Sequence, residues 1–169
     1  MKTKISVLLS SMMFLQYYIW GAWYVTMGTY MGEVLKSSGM NIGAAYSAGA
    51  IATIISPFFV GMIADRFFAA QKIMGVLHLL GAALLYYATQ VNNDSFYWVI
   101  LVYSLLYMPT IALSNSISYT SLKLNNKNIV KDFPPIRVWG TIGFIVAMWI
   151  TNLSGSKATE YQFYIAGVG

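Results

Sequence analysis

The chain of 169 residues has no cysteine, one histidine, four prolines and very little charge, with Asp, Glu, Lys and Arg together at 9%. Each shortage excludes something. Without cysteine there is no disulfide scaffold and no thiolate nucleophile. Soluble domains carry about 25% charged residues, so this chain has too little charge to cover a water-facing surface. That argues against a soluble globular enzyme. Apolar residues make up 58% and the mean hydropathy is +0.62, which argues equally against disorder. The net charge of +5 comes from ten Lys and Arg set against five acids. These cations stand at the ends of apolar stretches and form no single patch, so no nucleic-acid partner is expected.

What the chain does have is long uncharged runs. They cover residues 5–32, 37–64, 73–93, 95–122 and 138–156, each bounded by charge. A helix needs about 20 residues to cross ~30 Å of hydrocarbon, so each run is long enough or nearly so. A last run from residue 161 to 169 is too short to cross. The expected fold is therefore an all-α integral membrane protein in the lipid bilayer. It has five complete transmembrane helices, near 6–31, 40–64, 72–91, 95–121 and 135–153, and the start of a sixth at 160–169. The N-terminal run is too long for a signal peptide and no small-x-small cleavage site closes it, so it is expected to stay as the first span.

Counting cations by side orients the chain. With the N-terminus in the cytoplasm, Lys2, Lys4, Arg66, Lys72, Lys123, Lys127 and Lys131 lie inside, and Lys36 and Lys157 outside. Arg137 is kept apart. This bias points to a cytoplasmic N-terminus.

Polar groups at membrane depth cost free energy, so they are where function shows. In the first span Gln16, Trp20, Trp23 and Met27 follow at helical spacing. They either pack helices or line a cavity in which a planar ligand stacks. The second span is rich in small residues (Gly43, Ala44, Ser47, Ala48, Gly49, Ala52), which suits close packing between helices, and Pro57 is expected to kink it. The fourth span carries Pro109, Thr110, Ser114, Asn115 and Ser118, a polar stripe suited to interhelical bonding or to cavity lining. His78 stands alone, without an acidic partner, and reads as a packing residue more readily than a proton relay.

The fifth span opens at Pro134 or Pro135, which suits a first helical turn. It places Arg137, Thr141, Phe144 and Met148 on one face. By spacing alone, Arg137 is either a snorkelling interfacial anchor or a cation lining a wet cavity. No Asp or Glu stands inside a complete run, and no nucleophile, metal or phosphate-binding set can be assembled there. Neither an enzymatic activity nor a cofactor is expected, and any proton-titrating carboxylate lies outside this stretch.

Gly61-Met-Ile-Ala-Asp65-Arg66 resembles the first cytoplasmic hairpin signature of the major facilitator superfamily, with Phe68 in place of a second glycine and Lys72 in place of a basic cluster. Longer stretches are more specific. They are Phe14-Leu-Gln-Tyr-Tyr-Ile-Trp-Gly-Ala-Trp23, Gly43-Ala-Ala-Tyr-Ser47, Pro109-Thr-Ile-Ala-Leu-Ser-Asn-Ser-Ile-Ser-Tyr119 and Asp132-Phe-Pro-Pro-Ile-Arg-Val-Trp-Gly-Thr-Ile-Gly-Phe144. Together they resemble the bacterial nucleoside:proton symporters of the nucleoside and xanthosine permease type. The resemblance implies twelve spans in two halves, of which residues 1–169 are a truncated N-terminal half that lacks its C-terminal partner half. It implies proton-driven nucleoside uptake across the bacterial inner membrane by alternating access, with the proton as coupling ion and no other cofactor. The family's arginine, threonine and phenylalanine facing the nucleoside carry over to Arg137, Thr141 and Phe144. Gln16, Trp20, Trp23 and Asn115 are secondary candidates, and Gly61, Asp65 and Arg66 would form a gating latch. Two other readings remain: a facilitator carrier for sugars or other metabolites, and a small helical scaffold or channel if the chain is complete.

Overall fold

The computed structural model describes the backbone of residues 2–66 and 69–169, and the side chains of residues 4–56, 58 and 69–169. The described residues form helices and turns without a strand. The helices are α1 (Lys2–Trp23), α2 (Met27–Glu33), α3 (Gly39–Arg66), α4 (Ala70–Ala88), α5 (Asn93–Leu124), α6 (Ile129–Leu153) and α7 (Tyr161–Val168). By length and composition, three helical stretches among the described residues can cross a membrane: Lys4–Glu33, Asn93–Leu124 and Ile129–Leu153. Gly61, Asp65 and Arg66 close α3, but their side chains and that of Pro57 lie outside the described residues.

Two helix boundaries follow from asparagines. Asn126 adopts the left-handed conformation (φ 54°), one that asparagine tolerates better than most residues. Lys127 N–H then bonds the Leu122 carbonyl at 3.0 Å and Asn126 N–H the Lys123 carbonyl at 3.1 Å, closing α5 with paired terminal bonds. Asn128 opens α6 two residues later. Its side chain accepts from Lys131 N–H at 3.1 Å while the Asp132 carboxylate accepts from Asn128 N–H at 2.9 Å. This reciprocal cap starts the helix at Ile129, not at the prolines. Pro134 and Pro135 lie inside α6 instead of opening it, and Arg137 sits more than two turns in. The carbonyls the prolines release belong to Val130 and Lys131, both exposed, where solvent or headgroups can serve them.

The first apolar run is not one continuous helix, although nothing in its sequence breaks it. Tyr24, Val25 and Thr26 form a turn between α1 and α2. In an unbroken helix Gly28 N–H would bond the Tyr24 carbonyl. Here the Tyr46 hydroxyl of α3 is inserted into that rung, accepting from Gly28 N–H at 3.1 Å and donating to the Tyr24 carbonyl at 3.1 Å. Thr151 of α6 donates to the Ala22 carbonyl at 2.8 Å, and the Thr26 hydroxyl donates to Gln162 Oε1 of α7 at 2.8 Å. Two neighbouring helices, α3 and α6, thus satisfy the backbone at the break, and α7 holds the Thr26 side chain. Tyr46→Phe removes two of these bonds, and we predict a loss of about 1–3 kcal/mol, read as a lowered melting temperature of the full-length protein in detergent. An unchanged melting temperature would mean that the Gly28–Tyr24 rung closes unaided.

The helices group around α1 and α5. α3 and α4 pack chiefly on α5, α6 on α1, and α7 bridges α1 and α4. The small residues of α3 are not buried all round. Ala45, Ala48, Gly49 and Ala52 are buried, while Gly43, Ser47 and Ala50 are exposed. One aromatic core surrounds the α1–α2 break, where Trp23 meets Tyr103 edge-on at 5.3 Å and Tyr103 stacks on Tyr107 at 5.6 Å. A second, smaller core joins Leu9, Met13 and Tyr17 of α1 to Leu122 and Ile136.

α1 and α6 approach backbone to backbone. A Cβ on Gly143 would run into the Phe14 carbonyl, and one on Gly21 into the Phe144 carbonyl. The approach is reciprocal, and it fixes how α6 presents its side chains.

Candidate functional site

Arg137, Thr141 and Phe144 project from neighbouring turns of α6, the first two onto one open depression and the third against Trp20 of α1. Arg137 is half-buried, and its Nη2 donates to the Tyr17 hydroxyl at 2.6 Å. Its guanidinium carbon also stands 4.1 Å from the centroid of the Tyr17 ring, a cation–π distance. Among the described residues Lys127–Asp132, at 3.8 Å, is the one ion pair, so no described carboxylate quenches the Arg137 charge. Thr141 is exposed, one turn further along. It shares with Arg137, Phe133, Pro134 and Val138 an open depression of about 440 Å³. Phe144 is half-buried, its ring edge-on to Trp20 at 5.8 Å.

The secondary candidates do not stay together. Trp20 belongs to this group through Phe144, and lies 6.3 Å from the Tyr17 ring. Gln16 and Trp23 turn the other way, into the core against α5. Gln16 is 1% exposed and its amide donates to the Thr110 hydroxyl at 2.7 Å. The face read from the sequence is thus divided, because α1 is flanked by α5 on one side and α6 on the other. Asn115 is half-buried with an unpaired Oδ1, and no hydrogen bond joins it to the Arg137 group. Thr110, Ser114 and Ser118 bond the carbonyls of Tyr107, Ile111 and Ser114 in their own helix, a packing role. His78 places Nδ1 2.8 Å from the Met74 carbonyl of its own helix, so that nitrogen carries the proton.

Sequence reasoning passed over Tyr17 and Gly140. Tyr17 was legible as one of a Tyr17–Trp20–Tyr24 stripe at three- and four-residue spacing. Gly140 was legible as the residue directly beneath an arginine one turn earlier.

The arrangement offers a fixed guanidinium with unused N–H donors, an exposed hydroxyl and an aromatic ring within two turns. Such a set suits a planar ligand rich in hydrogen-bond acceptors. The description "Nucleoside H+ symporter" belongs to the family whose model matches residues 1–169. The chain belongs to that family. It is 47% identical over 164 residues to the xanthosine permease of Escherichia coli, covering 96% of this chain and 39% of that protein. It is 46% identical over 153 residues to the nucleoside permease NupG of the same organism, covering 90% and 37%. A crystal structure of the nucleoside transporter NupG superimposes with a TM-score of 0.93 at 43% identity, over 97% of this chain and 41% of that one. The chain thus spans about two fifths of the length of the curated relatives it matches. These relatives are transporters, not enzymes, and the apolar helices mark this chain as a multi-pass membrane protein.

Proposed function

We propose that the protein takes up nucleosides across a bacterial cytoplasmic membrane by alternating access, with the proton as coupling ion and no other cofactor. In this reading Arg137 and Thr141 hydrogen-bond the nucleoside and Phe144 packs on its rings, with Trp20 behind Phe144. The observation that carries it is a guanidinium that no described carboxylate pairs, beside an exposed threonine on α6, in a chain of this family. Gln16, Trp23 and Asn115 have a weaker claim to ligand contact, since two of them are committed to the α5 interface. Five complete spans are proposed (α1 with α2, then α3, α4, α5 and α6), with α7 beginning a sixth. A C-terminal half of the same chain would complete the cavity and supply the titrating carboxylate, because the apolar runs hold none. Gly61, Asp65 and Arg66 are proposed to latch the cytoplasmic gate through charge at helix ends.

Uptake of labelled uridine by cells expressing the full-length protein tests the activity. The expected result is uptake competed by unlabelled nucleosides but not by sugars, and collapsed by a protonophore. Competition by sugars alone would favour the other carrier reading, and protonophore-insensitive uptake would remove the coupling. For the cytoplasmic N-terminus, single cysteines report the side in a background lacking other cysteines. Gln90→Cys is predicted to react with an impermeant thiol reagent in intact cells, and Lys123→Cys only after permeabilisation. The reverse pattern would invert the topology.

A further inference from the structure

We infer that Tyr17 is the positioning residue that sets the Arg137 guanidinium for its ligand, an inference that rests on the nucleoside-binding role proposed for Arg137. An arginine on a long, flexible side chain loses rotamer freedom when it binds, and that loss weakens the complex unless the side chain is already fixed. Tyr17 fixes it twice, through the hydroxyl at 2.6 Å and the ring face at 4.1 Å. Tyr17 itself is held, being 6% exposed and packed among Leu9, Met13, Leu122 and Ile136.

Gly140 makes the room. A Cβ there would stand 2.6 Å from Tyr17 Cδ2 and 2.8 Å from Arg137 Nη1, so a side chain on this turn would displace the stack. The chemistry of the partner matters as much as its place. An Asp or Glu would hold the guanidinium more strongly but would neutralise it and occupy two of its donors. A neutral tyrosine takes one N–H and leaves the charge and the remaining donors for a ligand's carbonyl or hydroxyl oxygens.

The test is a double-mutant cycle on the purified full-length protein, with uridine binding read by calorimetry. Tyr17→Phe keeps the ring and its packing and deletes only the acceptor. It is expected to weaken binding about tenfold in the wild-type background and less than twofold in Arg137→Ala. Equal weakening in both backgrounds, or none in the wild type, would overturn the inference while leaving the role of Arg137 intact. Unchanged binding in Arg137→Ala would instead overturn the role proposed for Arg137, and this inference with it. A second measurement needs no ligand: phenylglyoxal modification of Arg137, followed by mass spectrometry. The modification is expected to run severalfold faster in Tyr17→Phe and in Gly140→Ala, and an unchanged rate in both would show that the guanidinium is not held.

Discussion

Gly143→Val is expected to abolish the folded protein, and Gly143→Ala to lower its stability by about 3 kcal/mol or more. The reason is that the obstacle is main chain. A Cβ at residue 143 meets the carbonyl and Cα of Phe14, and a helix backbone cannot turn aside as the end of a flexible side chain can. Relief requires α1 and α6 to separate, which would strip contacts along their whole length. Gly21→Ala should behave alike, since it faces the Phe144 carbonyl across the same contact. Gly43→Ala is the control, because nothing stands within 4 Å of the added methyl. There the change should be neutral or stabilising by up to about 1 kcal/mol, from helix propensity. Thermal unfolding in detergent and the yield of monodisperse protein read all four variants. Wild-type stability in Gly143→Ala would contradict the close approach of α1 and α6.

Arg137→Ala is expected to reduce nucleoside uptake and binding by tenfold to a hundredfold, while the protein still folds. Hydrogen bonds from a charged donor are worth about 1.5–3 kcal/mol, and alanine leaves the ligand oxygen without that donor. Folding should survive because, among the described residues, the one hydrogen bond of the Arg137 side chain is to Tyr17. Arg137→Lys should recover little, since an ammonium cannot both lie along the Tyr17 ring and present several coplanar donors. Uptake assays paired with melting temperatures separate the two effects. Wild-type uptake in Arg137→Ala would remove this residue from the site.

Much of the architecture was legible in advance, for a reason peculiar to membranes. Where water is absent, backbone bonds must close within helices, so apolar runs between charges become helices with little freedom in the matter. Arg137, Thr141 and Phe144 stood out as charge, hydroxyl and ring at helical spacing in an apolar run, while their proposed contact with a nucleoside came from the family resemblance. The start of α6 was misread because two prolines are a strong sign of a first turn. A stronger device lay upstream, in Asn128 and Asp132, which cap each other.

Residue order along the chain thus settled that this is a helical membrane protein, where its apolar runs lie, and which face of α6 carries the cation, hydroxyl and ring. Those properties are local: they depend on composition and on spacing within one helix. Folding in three dimensions settled the rest. It divided the Gln16–Trp20–Trp23 face between two neighbours, broke the first run by threading the Tyr46 hydroxyl into one of its rungs, and laid Arg137 on Tyr17 in the space that Gly140 leaves. Each of these joins residues that spacing along one helix cannot relate, 120 positions apart in the case of Arg137 and Tyr17. Only the packing of one helix on another brings such pairs within the few ångströms over which hydrogen bonds and ring contacts act.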